Sequence, residues 1–307
     1  MAIRWGLIGL IVLMVTACGE TDGAPTPPTS NDTMTWPDLT SRPLPQPSTS
    51  IRYREGDAGV IDLWIPQGEG PHPVVAMIHG GCWQKSIADR TLMNYAAEDL
   101  RQRGLAVWNI EYRGVDEPGG GYPGTFLDVA AAMDMLAGAA ETHNLDNRRV
   151  VAFGHSAGGH LAVWAASRRK IPQHSPLYRD NPLPLGAVVN SGGLADLAAS
   201  EPVTLKTCLA DIKDLLIGNA SEHRPNPYAD TSPTELFAPN AAIISVNGSL
   251  DRIAPPALGR QLTAAVLDAG GEASDHEVAG AGHVELIAPG TDAFELEANL
   301  ILRELAR

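Results

Sequence analysis

The residues 154–158, Gly-His-Ser-Ala-Gly, place Ser156 among small neighbours in a G-x-S-x-G pattern. A serine hydroxyl is a weak nucleophile until a base takes its proton and a carboxylate orients that base. The five-residue pattern recurs by chance, so its setting decides what it means. Here the apolar run VVAF precedes it, and HLAVWAAS, with helical spacing, follows. That context predicts a strand, a sharp turn and a helix, with the serine oxygen carried at the tip of a strained turn. The start of the helix adds partial positive charge where an oxyanion would develop. The chemistry implied is acyl transfer through Ser156.

The partners are sought downstream, in the order serine, acid, histidine. Asp251 follows the apolar run AIISVNG in the loop NGSLDRIAPP and is the preferred acid. Asp196, in SGGLADL, and Asp230 are its rivals. Of nine histidines, His283 in the glycine-rich AGAGHVELIAPG is the preferred base. His276 precedes it on an expected strand and reads as structural. His155 and His160 flank the serine on the wrong side of the chain order. A tetrahedral intermediate also needs N–H donors for its oxygen. Ala157 supplies one, and the loop His79-Gly80-Gly81-Cys82-Trp83 supplies the other, from Gly81 with Gly80 or Cys82 beside it. Trp83 reads equally as a wall of the substrate pocket or as an aromatic anchoring its own loop. Arg113 is expected to pair with Asp128. The mechanism calls for no cofactor and no metal.

The surrounding pattern must position these loops. SIRYRE and VIDLWIP alternate with period two and predict an opening hairpin. From there, short apolar runs alternate with helical ones through to a C-terminal helix ending at Arg307. This predicts an α/β fold: a mostly parallel twisted sheet with helices on both faces. Residues 170–184 and 195–239 break the rhythm with Pro and polar residues. They are expected to form a lid-like insertion over the C-terminal edge of the sheet, where such folds bind ligands.

The first 17 residues, with Arg4 ahead of an apolar run too short to span a bilayer comfortably, predict a signal peptide. Val15-Thr16-Ala17-Cys18 resembles the lipobox of bacterial lipoproteins. The resemblance implies cleavage before Cys18, lipidation of its thiol, and a membrane anchor on the cell envelope. Residues 18–50, rich in Pro, Ser and Thr, are expected to be a tether, with the domain occupying 51–307. The net charge of −14 argues against nucleic acid or an anionic membrane surface as partner. Export permits a disulfide between the remaining Cys82 and Cys208, but sequence does not show that they meet.

Taken together, HGGCW, EYRG, PGGGYPGTFLDVAAAMDML, GHSAGGHLA, GSLD and AGHVELI resemble the kynurenine formamidase branch of the α/β-hydrolases. They equally resemble its neighbouring branch of small bacterial carbohydrate and feruloyl esterases. The resemblance spans about residues 73–287 and implies the α/β-hydrolase fold. It also implies hydrolysis of a small-molecule ester or N-formyl amide by Ser156, Asp251 and His283. The lipoprotein leader departs from a cytoplasmic formamidase and favours an exported esterase. A peptidase would be expected to carry a large extra domain. A non-catalytic scaffold would be expected to have lost a member of the triad.

Overall fold

The computed structural model describes residues 1–2, 33–236 and 240–307. The leader and Cys18 lie outside the described residues, as do 237–239 within the second insertion. Eight strands form one sheet in the order β1-β2-β4-β3-β5-β6-β7-β8. They are β1 (Thr49–Arg52), β2 (Val60–Trp64), β3 (His72–Ile78), β4 (Ala106–Ile110), β5 (Leu145–His155), β6 (Ala187–Ser191), β7 (Ala242–Gly248) and β8 (Ala273–Val278). β1 and β2 form the expected hairpin, and β2 also pairs antiparallel with β4. Every other pairing is parallel.

Eight α-helices accompany the sheet among the described residues: α1 (Trp36–Thr40), α2 (Asn94–Gln102), α3 (Gly124–Ala139), α4 (Ala157–Ser167), α5 (Leu197–Ser200), α6 (Lys213–Ile217), α7 (Pro256–Asp268) and α8 (Asp292–Leu305). The central strands are largely apolar and buried because both of their faces are covered. Alternate residues of β5 show the division. Val150 and Ala152 join a core with Trp108, Phe126, Leu161 and Trp164. Val151 and Phe153 join a second core with Met77, Leu100, Phe294 and Ile301. This is the α/β-hydrolase fold. The Arg113 guanidinium pairs with Asp128 through two hydrogen bonds of 2.7 and 2.8 Å, and Arg54 adds two more to the same carboxylate.

One boundary is corrected. The compact unit begins at Thr33, so the expected tether does not run to residue 50. Leu39 of α1 is fully buried in the second core. The Arg42 guanidinium donates to the Pro289 carbonyl at 3.0 Å, and the Asn94 amide donates to the Pro45 carbonyl at 3.0 Å. Composition averaged over 18–50 hid a few apolar residues that find a groove made by distant parts of the chain.

Glu297 on α8 is fully buried, and neither carboxylate oxygen has a hydrogen-bond partner. Burial pushes its pKa well above the usual carboxylate range, so the fold holds it as the neutral acid. Such a group binds its proton more tightly folded than unfolded. Its stabilising linkage is therefore full at acid pH and is lost as pH rises through the raised value. Glu297→Gln removes that loss. The melting-temperature difference, variant minus wild type, should grow from pH 4 to pH 8. A difference constant with pH would refute the assignment.

Candidate active site

β5 ends at His155 and α4 begins at Ala157, leaving Ser156 alone on the turn between them. Its backbone sits at φ 56°, ψ −121°, a conformation that non-glycine residues rarely adopt. Such a residue stores about 1–3 kcal/mol of strain and persists only where its surroundings over-determine it. Here the Ser156 N–H donates to the Ser191 carbonyl at 2.9 Å, tying the turn to β6. The α4 side is held by close approach. A Cβ on Gly158 would lie 2.1 Å from the Ile78 carbonyl oxygen, so only glycine lets this helix start so near β3.

Asp251 follows β7 on a short loop. Its Oδ1 accepts the Ile253 and Ala254 N–H groups at 2.8 and 2.9 Å, which fixes the carboxylate. Its Oδ2 accepts from His283 Nδ1 at 2.6 Å. That bond places the ring proton on Nδ1 and leaves Nε2 as the basic nitrogen. Both residues are buried. The rival carboxylates are occupied elsewhere. Asp196 caps α5 through the Ala199 N–H at 3.0 Å. Asp230 accepts from Tyr122, Ser175 and Arg224. His276 stays on β8, facing Ser274 at 3.3 Å.

His155 has a role that chain order concealed. Its Nε2–H donates to the His283 carbonyl at 3.1 Å, and the two ring centres lie 4.4 Å apart. Burial first, and the neighbouring His283 second, push its pKa well below the usual histidine value. A neutral ring therefore packs against the candidate base without repelling a charge that forms there.

The second glycine loop lies beside the serine. A Cβ on Gly80 would come within 3.0 Å of the Ser156 Cβ. Gly81, Cys82 and Trp83 follow at φ 103°, 54° and 54°, a left-handed run that turns the main chain sharply. The N–H groups of Gly80, Gly81 and Cys82 donate to no backbone carbonyl. Ala157 opens α4, where the first N–H groups of a helix have no intrahelical acceptor. The N–H groups of Gly80, Gly81, Cys82 and Ala157 are thus not taken by backbone carbonyls.

A buried polar network holds this loop. His79 faces the Glu111 carboxylate through Nε2 at 2.8 Å and the Gly80 carbonyl through Nδ1 at 2.7 Å. Tyr112 stacks on the His79 ring at 4.3 Å and donates to the His79 carbonyl at 3.0 Å. Glu111 is fully buried, which alone would raise its pKa. The attraction of His79, then Lys85, outweighs burial and holds it below the usual range. Lys85 and Arg90 complete its shell at 3.0 and 3.4 Å.

Trp83 is corrected as a pocket wall. It is fully buried, its indole N–H donates to His160 Nδ1 at 3.2 Å, and it anchors its own loop. His160 Nε2–H in turn donates to the Thr231 carbonyl at 2.8 Å. Burial lowers the His160 pKa to about 4, keeping the neutral tautomer that Trp83 requires. Cys82 is disulfide-bonded to Cys208, so the loop is also tied covalently to the second insertion. Glu111, His155 and His160 were missed because each acts through tertiary neighbours. The only sequence signal was their adjacency to EYRG and to the serine motif.

Residues 61–266 match the BD-FAE family, about two thirds of the chain. The chain belongs to the BD-FAE family. Over 213 residues this BD-FAE chain is 25% identical to a probable carboxylic ester hydrolase, LipM, of Mycobacterium tuberculosis, matching 67% of this chain and 48% of LipM. Over 115 residues it is 29% identical to a probable isoprenylcysteine alpha-carbonyl methylesterase of Arabidopsis thaliana, matching 37% of this chain and 23% of that one. The match thus spans half or less of each curated relative. Among solved structures, a truncated carbohydrate esterase from gut microbiota superposes with TM-score 0.68 at 21% identity, covering 85% of this chain and 98% of that one. Esterase B from Lactobacillus rhamnosus superposes with TM-score 0.71 at 17% identity, covering 85% and 87%. These structures share the fold. The names these relatives carry fall on the esterase side of the resemblance.

The Cys82–Cys208 bond closes a loop of 126 residues in sequence separation. Cys82→Ser with Cys208→Ser should lower unfolding free energy by about 2–5 kcal/mol in chemical denaturation. An unchanged midpoint would show that the crosslink constrains nothing.

Proposed function

We propose that the protein is a carboxylic ester hydrolase acting through a serine acyl-enzyme. The observation that carries this reading is the 2.6 Å bond between Asp251 and His283, on loops that meet beside the strained Ser156 turn. In the proposed cycle, His283 Nε2 takes the Ser156 proton as Oγ attacks the ester carbonyl. The carbonyl oxygen becomes an oxyanion held by the Ala157 N–H and by an N–H of the Gly80–Cys82 loop. Collapse breaks the bond to the alcohol oxygen, which leaves with the proton from His283. Water then repeats the sequence on the acyl-enzyme, releasing the acid and restoring Ser156. Asp251 keeps the imidazole in the tautomer that leaves Nε2 free. Neutral His155 packs against the ring, with centres 4.4 Å apart.

Export to the cell envelope, with Cys18 as the lipid-bearing residue, is part of the proposal. The Cys82–Cys208 disulfide supports it, because such bonds persist in oxidising compartments.

The test is turnover of p-nitrophenyl acetate, p-nitrophenyl butyrate and N-formylkynurenine by wild type and Ser156→Ala. Ester turnover that vanishes in the variant is expected. Dominant N-formylkynurenine turnover would reassign the protein as a formamidase. No turnover above the variant would refute a catalytic role. Asp251→Asn should reduce kcat by about 10⁴, because the amide stabilises the wrong imidazole tautomer. Retention of more than a tenth of wild-type kcat would remove Asp251 from the triad.

A further inference from the structure

The N-terminal segment ahead of β1 lies outside the residues that match the family, yet it is bound to the loop that carries His283 and to α2. At one end Thr33 packs on Gly282, where an added Cβ would meet the Thr33 side chain at 2.9 Å. The Met34 N–H donates to Glu285 Oε1, while Glu285 Oε2 accepts the Gly282 N–H at 3.0 Å. These bonds grip the loop that carries His283. At the other end the Tyr95 hydroxyl reaches the Thr40 and Arg42 carbonyls at 3.4 and 3.3 Å. Tyr95 belongs to α2, the helix that follows the Gly80–Trp83 loop. The segment is therefore a strap running from the base loop towards the oxyanion side.

Trp36 lies along that strap. Its ring centre is 6.2 Å from the centre of His283 and 6.2 Å from that of His155, edge-on to both at 85° and 77°. Trp64, Trp83, Trp108 and Trp164 are fully buried, whereas Trp36 leaves 37% of its surface open. Leu39 and the hydrogen bonds at either end already secure the strap, so packing does not require an indole there. A large apolar ring left partly open beside the site is surface that a bound group would cover.

From this placement we propose that Trp36 is a substrate-contact residue that selects esters whose alcohol carries a ring. The inference rests on the esterase reading above. The side of the substrate follows from the chemistry. His283 must hand its proton to the departing alcohol oxygen across a hydrogen bond of about 2.6–3.2 Å. Whatever is attached to that oxygen therefore lies beside the imidazole, whose ring centre is 6.2 Å from that of Trp36. The indole favours a flat apolar face, which an aryl ring and the C–H face of a sugar ring both provide.

The test compares benzyl acetate, 6-O-acetylglucose and ethyl acetate, whose acyl group is constant and whose alcohols are all alkoxide leaving groups. In Trp36→Ala, the ratio of kcat/KM for a ring-bearing ester to that for ethyl acetate should fall about tenfold, mostly through KM. Trp36→Phe, which keeps a ring, should restore most of it. A fall for benzyl acetate alone assigns an aryl alcohol, and a fall for 6-O-acetylglucose alone assigns a sugar. An unchanged ratio for both, in an enzyme that does hydrolyse acetates, overturns the role of Trp36 and leaves the esterase reading intact. If wild type hydrolyses p-nitrophenyl esters but none of the three, the role of Trp36 is overturned; if it hydrolyses neither, the esterase reading fails and this one with it. An independent readout is tryptophan emission in the Ser156→Ala protein. The ring-bearing ester should change emission when Trp36 is present and not in Ser156→Ala with Trp36→Phe. Equal changes in both would place the ligand away from Trp36.

Discussion

The left-handed backbone at Ser156 is the constraint on which the site depends. A side chain in that conformation relaxes unless both neighbours hold it. β5 enters the turn locked between β3 and β6, and the Ser156 N–H is spent on the Ser191 carbonyl. On the exit side, Gly158 lets α4 begin against the Ile78 carbonyl. The strain keeps the hydroxyl at the tip of the turn and the Ala157 N–H beside it. The parallel sheet supplies the stiffness, because its two apolar cores cover both faces of β5.

The glycine loop facing Ser156 poses the opposite problem. Its N–H groups are useful only while no carbonyl of the protein takes them, so ordinary secondary structure cannot secure the loop. The fold holds it by side chains instead. Glu111 binds His79 from below, Trp83 is pinned through His160, and Cys82 is joined to Cys208. Each tie leads to a different part of the chain: β4, α4 and the second insertion. Burial makes these polar contacts strong and makes their loss expensive.

Two histidines with different surroundings pack together next to the serine turn. His283 has a carboxylate on one nitrogen, and in the proposed cycle the other takes the serine proton. His155, one residue before the serine, donates to the His283 backbone and remains neutral because it is buried. Of the two adjacent imidazoles, only that of His283 faces a carboxylate.

The sequence by itself determined the fold class, the strand–turn–helix around Ser156 and the short list of partners, because these follow from local periodicity and chain order. Residue type also set the limits on the loop at Gly80 and Gly81, where small side chains are needed. Chain order preferred Asp251 over Asp196 and Asp230, but only the tertiary structure shows that Asp251 meets His283 while the other two are engaged elsewhere. It also withdrew Trp83 from the pocket and put Trp36 beside the base. In sequence, Trp36 lies in a Pro/Ser/Thr-rich stretch whose average polarity predicts a tether. In the fold, a handful of its side chains meet a groove built by residues 50 to 250 positions away, and no local pattern records a groove that distant residues make.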